Sequence, residues 1–248
     1  MGEKARRKRL FLGKNPFCCF CGGGSPATTE DHVPSRTLFT LRQWPEGYVF
    51  PACENCNSAT RLAEQVFSFL SRCHQDPLGQ QEETEFNQAL DALGNNHPGI
   101  IQEILPVRSM SYRGRPAIQV NGPQVKRAVE DYARKLFSAL HYKEAGRILP
   151  QTGGIAWRWW SNVQVMDGEL PAHFVARFRG EPTLMRQKQL LKDQFNYRYT
   201  VTGNGENGMY ITEFRRAFVI AGVVAFDYEF LEKDAPSDAV ILRPLPSA

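Results

Sequence analysis

Long apolar runs are absent from this chain of 248 residues. A membrane-spanning helix needs roughly 20 consecutive apolar residues, and no stretch of the sequence approaches that length. The basic N-terminal segment is followed only by Leu10-Phe11-Leu12 before Gly13, which is too short for the apolar centre of a signal peptide. We therefore expect a cytoplasmic protein that has no membrane partner.

Cysteine is also scarce, and internal repeats are absent. Six cysteines are too few for a disulfide-stabilised scaffold of this length. The composition, 42% hydrophobic and 23% charged, is typical of a globular protein. The length allows one large domain or two modest ones.

The excess of positive charge is small, since the formal net charge is +4. Such a charge permits a polyanionic partner without requiring one. The basic residues are concentrated at the N-terminus, and two interpretations of them stay open. They belong either to a solvated tail or to an arm that contacts a nucleic-acid backbone and releases counterions. These residues are Lys4, Arg6, Arg7, Lys8 and Arg9.

The strongest motif is a pair of Cys-x-x-Cys sequences, Cys18-x-x-Cys21 and Cys53-x-x-Cys56. Four thiolates in two close pairs can hold one tetrahedral Zn²⁺. Cys19 is an alternative ligand to Cys18, although Cys18 has the usual spacing to Cys21. The sequence therefore predicts one structural zinc per chain, which would join the two ends of residues 16–72, here called the Cys module.

The segment between the cysteine pairs contains Glu30-Asp31-His32, and Asn57 follows the last cysteine directly. Hydrolysis of a phosphodiester needs a base to take a proton from water, and an imidazole with a near-neutral pKa suits that role. Mg²⁺ prefers oxygen ligands, which the Asp31 carboxylate and the Asn57 amide offer. Asparagine is also a good helix N-cap, and that interpretation of Asn57 stays open.

These motifs resemble the HNH (ββα-metal) endonuclease family, in its zinc-containing Cys₄ branch. The resemblance covers about residues 16–70. It implies that His32 is the general base and that Asp31 and Asn57 bind a catalytic Mg²⁺ or Mn²⁺. It also implies DNA as substrate, with a 5′-phosphate and a 3′-hydroxyl as products; RNA is not excluded. The matching segments are Cys18-Cys19-Phe20-Cys21-Gly22, Thr28-Thr29-Glu30-Asp31-His32-Val33-Pro34 and Pro51-Ala52-Cys53-Glu54-Asn55-Cys56-Asn57.

Two positions depart from the pattern of the family. Tyr48 stands where many members have an asparagine that steadies the loop with the base, and Arg61 stands where some have a metal-binding histidine. A guanidinium does not ligate a cation, but it binds phosphate well. Arg61 and Arg36 are therefore candidates for substrate binding. Glu64 is interpreted as an exposed partner of Arg61, with an extra metal ligand through water as the alternative.

The fold class expected is α+β, with an N-terminal zinc-stapled ββα-metal module followed by helices packed on an antiparallel sheet. The expected organisation is a basic tail (1–15), the nuclease module (16–72), a connector (73–98) and a C-terminal α+β domain (99–248). Short strands are predicted near 28–33 and 48–51, with one helix over 57–72. A second helix is predicted to run from Pro123 to Gly146, followed by strands near 174–178, 195–201 and 210–226.

The C-terminal half allows weaker inferences. Residues 125–150 resemble the helix that follows the nuclease module in some bacterial HNH proteins. That likeness implies a defence system against phage or plasmid DNA and partner proteins within it. His141 is interpreted as structural. The three tryptophans are interpreted as parts of the core or of a protein interface, with stacking on bases as the alternative; they are Trp157, Trp159 and Trp160. A basic face for DNA on the strands is the less favoured interpretation of Arg177, Arg179, Arg198, Arg215 and Arg216.

Two further functions stay open beside the nuclease. The Cys module is also compatible with a catalytically silent nucleic-acid-binding or scaffolding role in a multi-component complex, because Tyr48 and Arg61 depart from the pattern. Alternatively, the chain is an effector that stays silent until a ligand or partner binds the C-terminal domain.

Overall fold

A computed structural model describes residues 2–73, 79–104, 110–112, 115–117 and 122–247. The fold is α+β, as predicted from the sequence. None of the described helices is both long and apolar enough to cross a membrane. The helices are α1 (Glu3–Lys14), α2 (Glu54–Ala59), α3 (Arg61–Leu70), α4 (Gln80–Asn96), α5 (Pro98–Ile104), α6 (Pro123–Ala145), α7 (Asn162–Met166), α8 (Ala172–Val175) and α9 (Tyr228–Asp234). The strands are β1 (Thr29–His32), β2 (Val49–Ala52), β3 (Met110–Tyr112), β4 (Arg115–Ala117), β5 (Gly154–Ser161), β6 (Met185–Arg186), β7 (Gln189–Leu190), β8 (Phe195–Val201), β9 (Asn207–Phe214), β10 (Phe218–Ala225) and β11 (Val240–Leu242).

The basic N-terminal segment is helical, as α1, and none of its residues is buried. The Cys module then forms an antiparallel β1–β2 pair, in which Asp31 lies opposite Phe50 and His32 opposite Val49. Its helical part is divided at Thr60 into α2 and α3. The prediction of a single helix over 57–72 was therefore wrong, because two helices cover this segment.

A five-stranded antiparallel sheet in the order β11-β5-β10-β9-β8 forms the centre of the C-terminal half. Side chains alternate across β10, so Phe218 and Ile220 face the main core while Val219 and Ala221 face a smaller cluster. Helix α6 lies on the main-core face. Gly222 allows this packing, since a Cβ there would lie 2.6 Å from the Phe137 ring.

The predicted C-terminal elements are mostly confirmed. Helix α6 ends at Gly146, which adopts the left-handed conformation (φ 68°) that glycine tolerates best. The strand predicted near 174–178 is wrong, because a short helix, α8, lies there instead. Phe174 of this helix and Phe178, which follows it, cover Trp160 on the second face of the sheet.

The Cys module and the sheet share one apolar core, which extends from Cys18 to Leu245. Phe67 of α3 lies at the centre of this shared region. Its ring stacks on Tyr132 of α6, with a centroid distance of 3.9 Å, and meets Phe214 and Phe218 edge-on at 5.2 Å each. Helix α3 therefore packs on α6 and on the sheet rather than only on its own module.

Candidate functional site

The four predicted zinc ligands come together. The sulfur atoms of Cys18, Cys21, Cys53 and Cys56 lie within 4.8 Å of one another, and all four residues are buried. A tetrahedral zinc with bonds of about 2.3 Å places its sulfurs about 3.8 Å apart. The donor set therefore fits a structural zinc ion.

Local backbone geometry explains how the two cysteine pairs meet. The amide of Cys19 donates to the Pro51 carbonyl at 3.0 Å, which ties the first pair to β2. Cys53 is the N-cap of α2, and its sulfur accepts from the Cys56 amide. A hydrogen bond from the Cys56 thiol lowers the pKa of Cys18 to about 5. Cys19 lies outside the cluster, and burial raises the pKa of its thiol.

Asp31 is buried, with 6% of its surface exposed, and both of its carboxylate oxygens have partners. Oδ1 accepts from the amide of His32 at 2.7 Å. Oδ2 lies 2.6 Å from the ammonium nitrogen of Lys135, on α6. The carboxylate that the sequence predicts as a metal ligand thus already faces a cation.

Lys135 is the central residue that sequence reasoning missed. Only 1% of its side chain is exposed. Its ammonium contacts Asp31 and Glu64 and donates to Thr60 Oγ1 at 2.9 Å. Two carboxylates and a hydroxyl compensate the buried charge, and the two carboxylates raise the pKa of Lys135 despite burial.

Glu64 has different partners from those expected. It was interpreted as an exposed partner of Arg61, but its carboxylate contacts Lys135 and accepts from Ser35 Oγ at 3.1 Å. Burial raises its pKa, and Lys135 opposes that shift. Arg61 is exposed on α3.

His32 is half-buried at the end of β1, beside an aromatic and basic cluster. Its ring meets Trp44 edge-on, with a centroid distance of 4.9 Å. The guanidinium carbons of Arg36 and Arg186 lie over the same indole, 5.0 and 4.4 Å from its centre. Desolvation, with help from the nearby Arg36 charge, lowers the pKa of His32 to about 4. The imidazole is therefore uncharged near neutral pH.

Asn57 lies inside α2 rather than at its N-cap, which is Cys53. Its side-chain amide donates to Thr29 Oγ1 at 3.1 Å, two residues before Asp31 on β1. The contacts of Asp31 do not fit a divalent cation at this place, because an ammonium and a backbone N–H occupy its two oxygens. Asp31 and Asn57 as placed therefore do not form a site for Mg²⁺ or Mn²⁺.

Tyr48 connects the loop before β2 to the C-terminal half. Its hydroxyl lies 2.8 Å from that of Tyr197 on β8, which in turn donates to Glu144 of α6 at 2.5 Å. The Lys143 ammonium lies over its ring. The loop is therefore held by α6 and β8, and not by an asparagine within the Cys module.

The histidine and tryptophans that were interpreted as structural lie in the core or pack against it. Trp157 and Trp160 are buried, and Trp159 stacks on Phe218. His141 is buried, with Nδ1 3.0 Å from the Tyr210 hydroxyl. The basic strand face is not supported at Arg215, which is buried and pairs with Glu82.

Comparisons with family models, curated proteins and solved structures found no match for this chain. The described contacts group His32 with Trp44, Arg36 and Arg186, and Asp31 with Lys135 and Glu64. Asn57 is anchored beside Thr29, on the same strand as Asp31.

Proposed function

We propose that this chain is a zinc-stabilised endonuclease of HNH type that hydrolyses phosphodiester bonds in DNA, with His32 as its general base. The observation that supports this best is geometric: the half-buried imidazole of His32 contacts Trp44, whose ring also carries two guanidiniums. An imidazole can accept a proton from water, and guanidiniums bind phosphate oxygens in a matching geometry.

The reaction would be a hydrolysis in which water is the only co-reactant. The water oxygen forms a bond to phosphorus while its proton passes to the free ring nitrogen of His32. The bond between phosphorus and the 3′ oxygen breaks, that oxygen takes up a proton from solvent, and His32 returns its own proton to solvent. The products are a 3′-hydroxyl and a 5′-phosphate, as the resemblance implies. Negative charge that develops on the phosphate is stabilised by Arg36.

Plasmid nicking is the experiment that tests this function. Supercoiled DNA is incubated with the protein in Mg²⁺, in Mn²⁺ and in EDTA, and a labelled RNA duplex is tested in parallel. We expect His32→Ala to abolish cleavage while His173→Ala, which changes an exposed histidine, leaves it intact. Equal cutting by wild type and His32→Ala, or no cutting of any substrate, would contradict the proposal.

A second function, binding of nucleic acid without hydrolysis, is favoured by one observation. The carboxylate of Asp31 is neutralised by Lys135 rather than left open to a divalent cation. This alternative predicts salt-dependent DNA binding that survives His32→Ala and Asp31→Asn, together with no cleavage in any of the three conditions above. The exposed basic helix α1 would contribute to binding in either case.

A further inference from the structure

The cluster around Trp44 is built from both halves of the chain. Arg36 and Trp44 belong to the Cys module, whereas Arg186 lies on β6 of the C-terminal half. Both guanidiniums lie against one indole, which also contacts the His32 ring. A cation over an aromatic ring is attracted to it, so Trp44 holds the two charges close to the candidate base.

The position of Arg186 is fixed by two hydrogen bonds between the two halves, both of which involve Glu46. The Glu46 amide donates to the Met185 carbonyl at 2.9 Å, next to Arg186 in the chain. On its other side, the Gln187 amide donates to Glu46 Oε1 at 3.1 Å. These two bonds hold the β6–β7 hairpin against the loop that bears Trp44, and so Arg186 is held in place before any ligand binds.

The two guanidiniums of this cluster, those of Arg36 and Arg186, are not engaged in ion pairs with the acidic side chains that the structure describes. Arg36 is exposed and Arg186 is half-buried. Two guanidiniums on one indole, at least partly open to solvent, offer donors to an anion with several oxygens, and a phosphodiester has that chemistry.

We propose that Arg186, together with Arg36 and the ring of Trp44, forms a phosphate-binding site that receives the DNA backbone next to His32. The C-terminal half thus supplies a substrate-binding residue to the Cys module. This inference rests on the proposed function for its ligand, but it is tested by binding alone.

The test is binding of a fluorescein-labelled 20-base-pair DNA duplex in EDTA, measured by anisotropy between 50 and 300 mM KCl. Arg186→Ala and Arg186→Gln should each weaken binding about tenfold, as expected for the loss of a charge-assisted hydrogen bond. They should also make the dependence of log K on log salt shallower by about 0.9, the value for one phosphate contact on duplex DNA.

Lys188→Ala is the matched control, because Lys188 is an exposed cation on the same hairpin. If Arg186→Ala and Arg186→Gln bind with the affinity and salt dependence of Lys188→Ala, the inference is wrong. The same holds if wild type shows no salt-dependent binding. Thermal unfolding of each variant shows whether the substitution in the hairpin has altered the fold.

Failure of this inference and failure of the proposed function give different results. If wild type never cuts DNA but Arg186→Ala loses affinity and salt dependence, the binding site stands and catalysis does not. If wild type cuts DNA through His32 and Arg186→Ala binds normally, catalysis stands and the Arg186 site does not.

Discussion

The ammonium of Lys135 lies 2.6 Å from Oδ2 of Asp31, and this contact joins α6 to β1. Both partners are buried. Removing one member of a buried ion pair is costly, because the other charge is left without compensation. The pair therefore determines both the stability of the Cys module and the availability of Asp31 to other ligands.

Lys135→Met should lower the free energy of unfolding by about 3–5 kcal/mol, since Asp31 and Glu64 would lose their shared cation. Urea denaturation measures this change. Lys126→Met, an exposed lysine on the same helix, should change stability by less than about 0.5 kcal/mol. Similar losses in the two variants would contradict a structural role for the buried ammonium.

Divalent cations should stabilise Lys135→Met more than wild type. Without the ammonium, the carboxylates of Asp31 and Glu64 become available as hard oxygen ligands, which suit Mg²⁺ and Mn²⁺. A thermal shift on titration of MnCl₂ measures the effect, since ligands of the native state raise the melting temperature. An equal or larger shift in wild type would mean that a divalent site exists beside Lys135.

Purified protein should contain about one zinc per chain, by elemental analysis. Cys53→Ser should lose the metal and unfold or aggregate, because the folding of small zinc modules depends on the bound ion. Cys73→Ser is the control. Cys73 follows the C-terminus of α3 and packs against the core, but it does not belong to the four-cysteine cluster. A stable wild-type protein without metal would contradict the zinc assignment.

Stability should fall between pH 6.5 and pH 4, in part through His141. Burial lowers the pKa of this histidine from 6.5 to about 4. The unfolded chain therefore binds more protons than the native state in this range, so stability rises with pH there. The contribution, about 3 kcal/mol, is complete above pH 6.5 and is lost as the pH falls towards 4.

His141→Gln should flatten this dependence of the unfolding free energy on pH, which urea denaturation at a series of pH values measures. His173→Ala, at an exposed position, should leave the slope as in wild type. Because the pKa of His32 is lowered in the same direction, part of the slope should remain in His141→Gln. An unchanged slope in that variant would contradict the role assigned to burial of the imidazole.

Tyr48→Phe should destabilise the protein by about 1 kcal/mol, because it removes one hydroxyl from the buried chain of Tyr48, Tyr197 and Glu144. Tyr197→Phe should lower the free energy of unfolding by at least as much, since the Tyr197 hydroxyl contacts both Tyr48 and Glu144. The double variant should cost less than the sum of the two, as expected for residues in contact. Additive losses would show that the hydroxyls act independently.

Local patterns in the sequence predicted the elements that depend on local interactions. The cysteine spacing predicted the metal cluster, and the apolar stripe from Val125 to Leu140 predicted α6. The strand predicted near 174–178 failed because those apolar residues cover the second face of the sheet from a helical turn. Alternation over so few residues does not distinguish the two arrangements.

The contacts of the candidate site could not be predicted in the same way. Lys135 in the C-terminal half contacts Asp31 in the Cys module. A local periodic pattern in the sequence does not predict a contact between residues so far apart in the chain. A signal was nevertheless present, because Lys135 lies between Tyr132 and Ala139 on the buried, mostly apolar face of α6. A single lysine at such a position indicates a buried partner. Arg186 and Trp44 carry no comparable signal in the sequence.

The packing of Phe67 against Tyr132, Phe214 and Phe218 has a consequence for the exchange of modules between proteins. A Cys module taken from another protein would bring its own side chain to the place of Phe67, and that side chain would have to fit rings of α6 and of two strands. Recombination at residue 72 would therefore separate Phe67 from the rings on which it packs. The two halves are expected to change together in evolution, with substitutions in α3 matched by substitutions in the sheet.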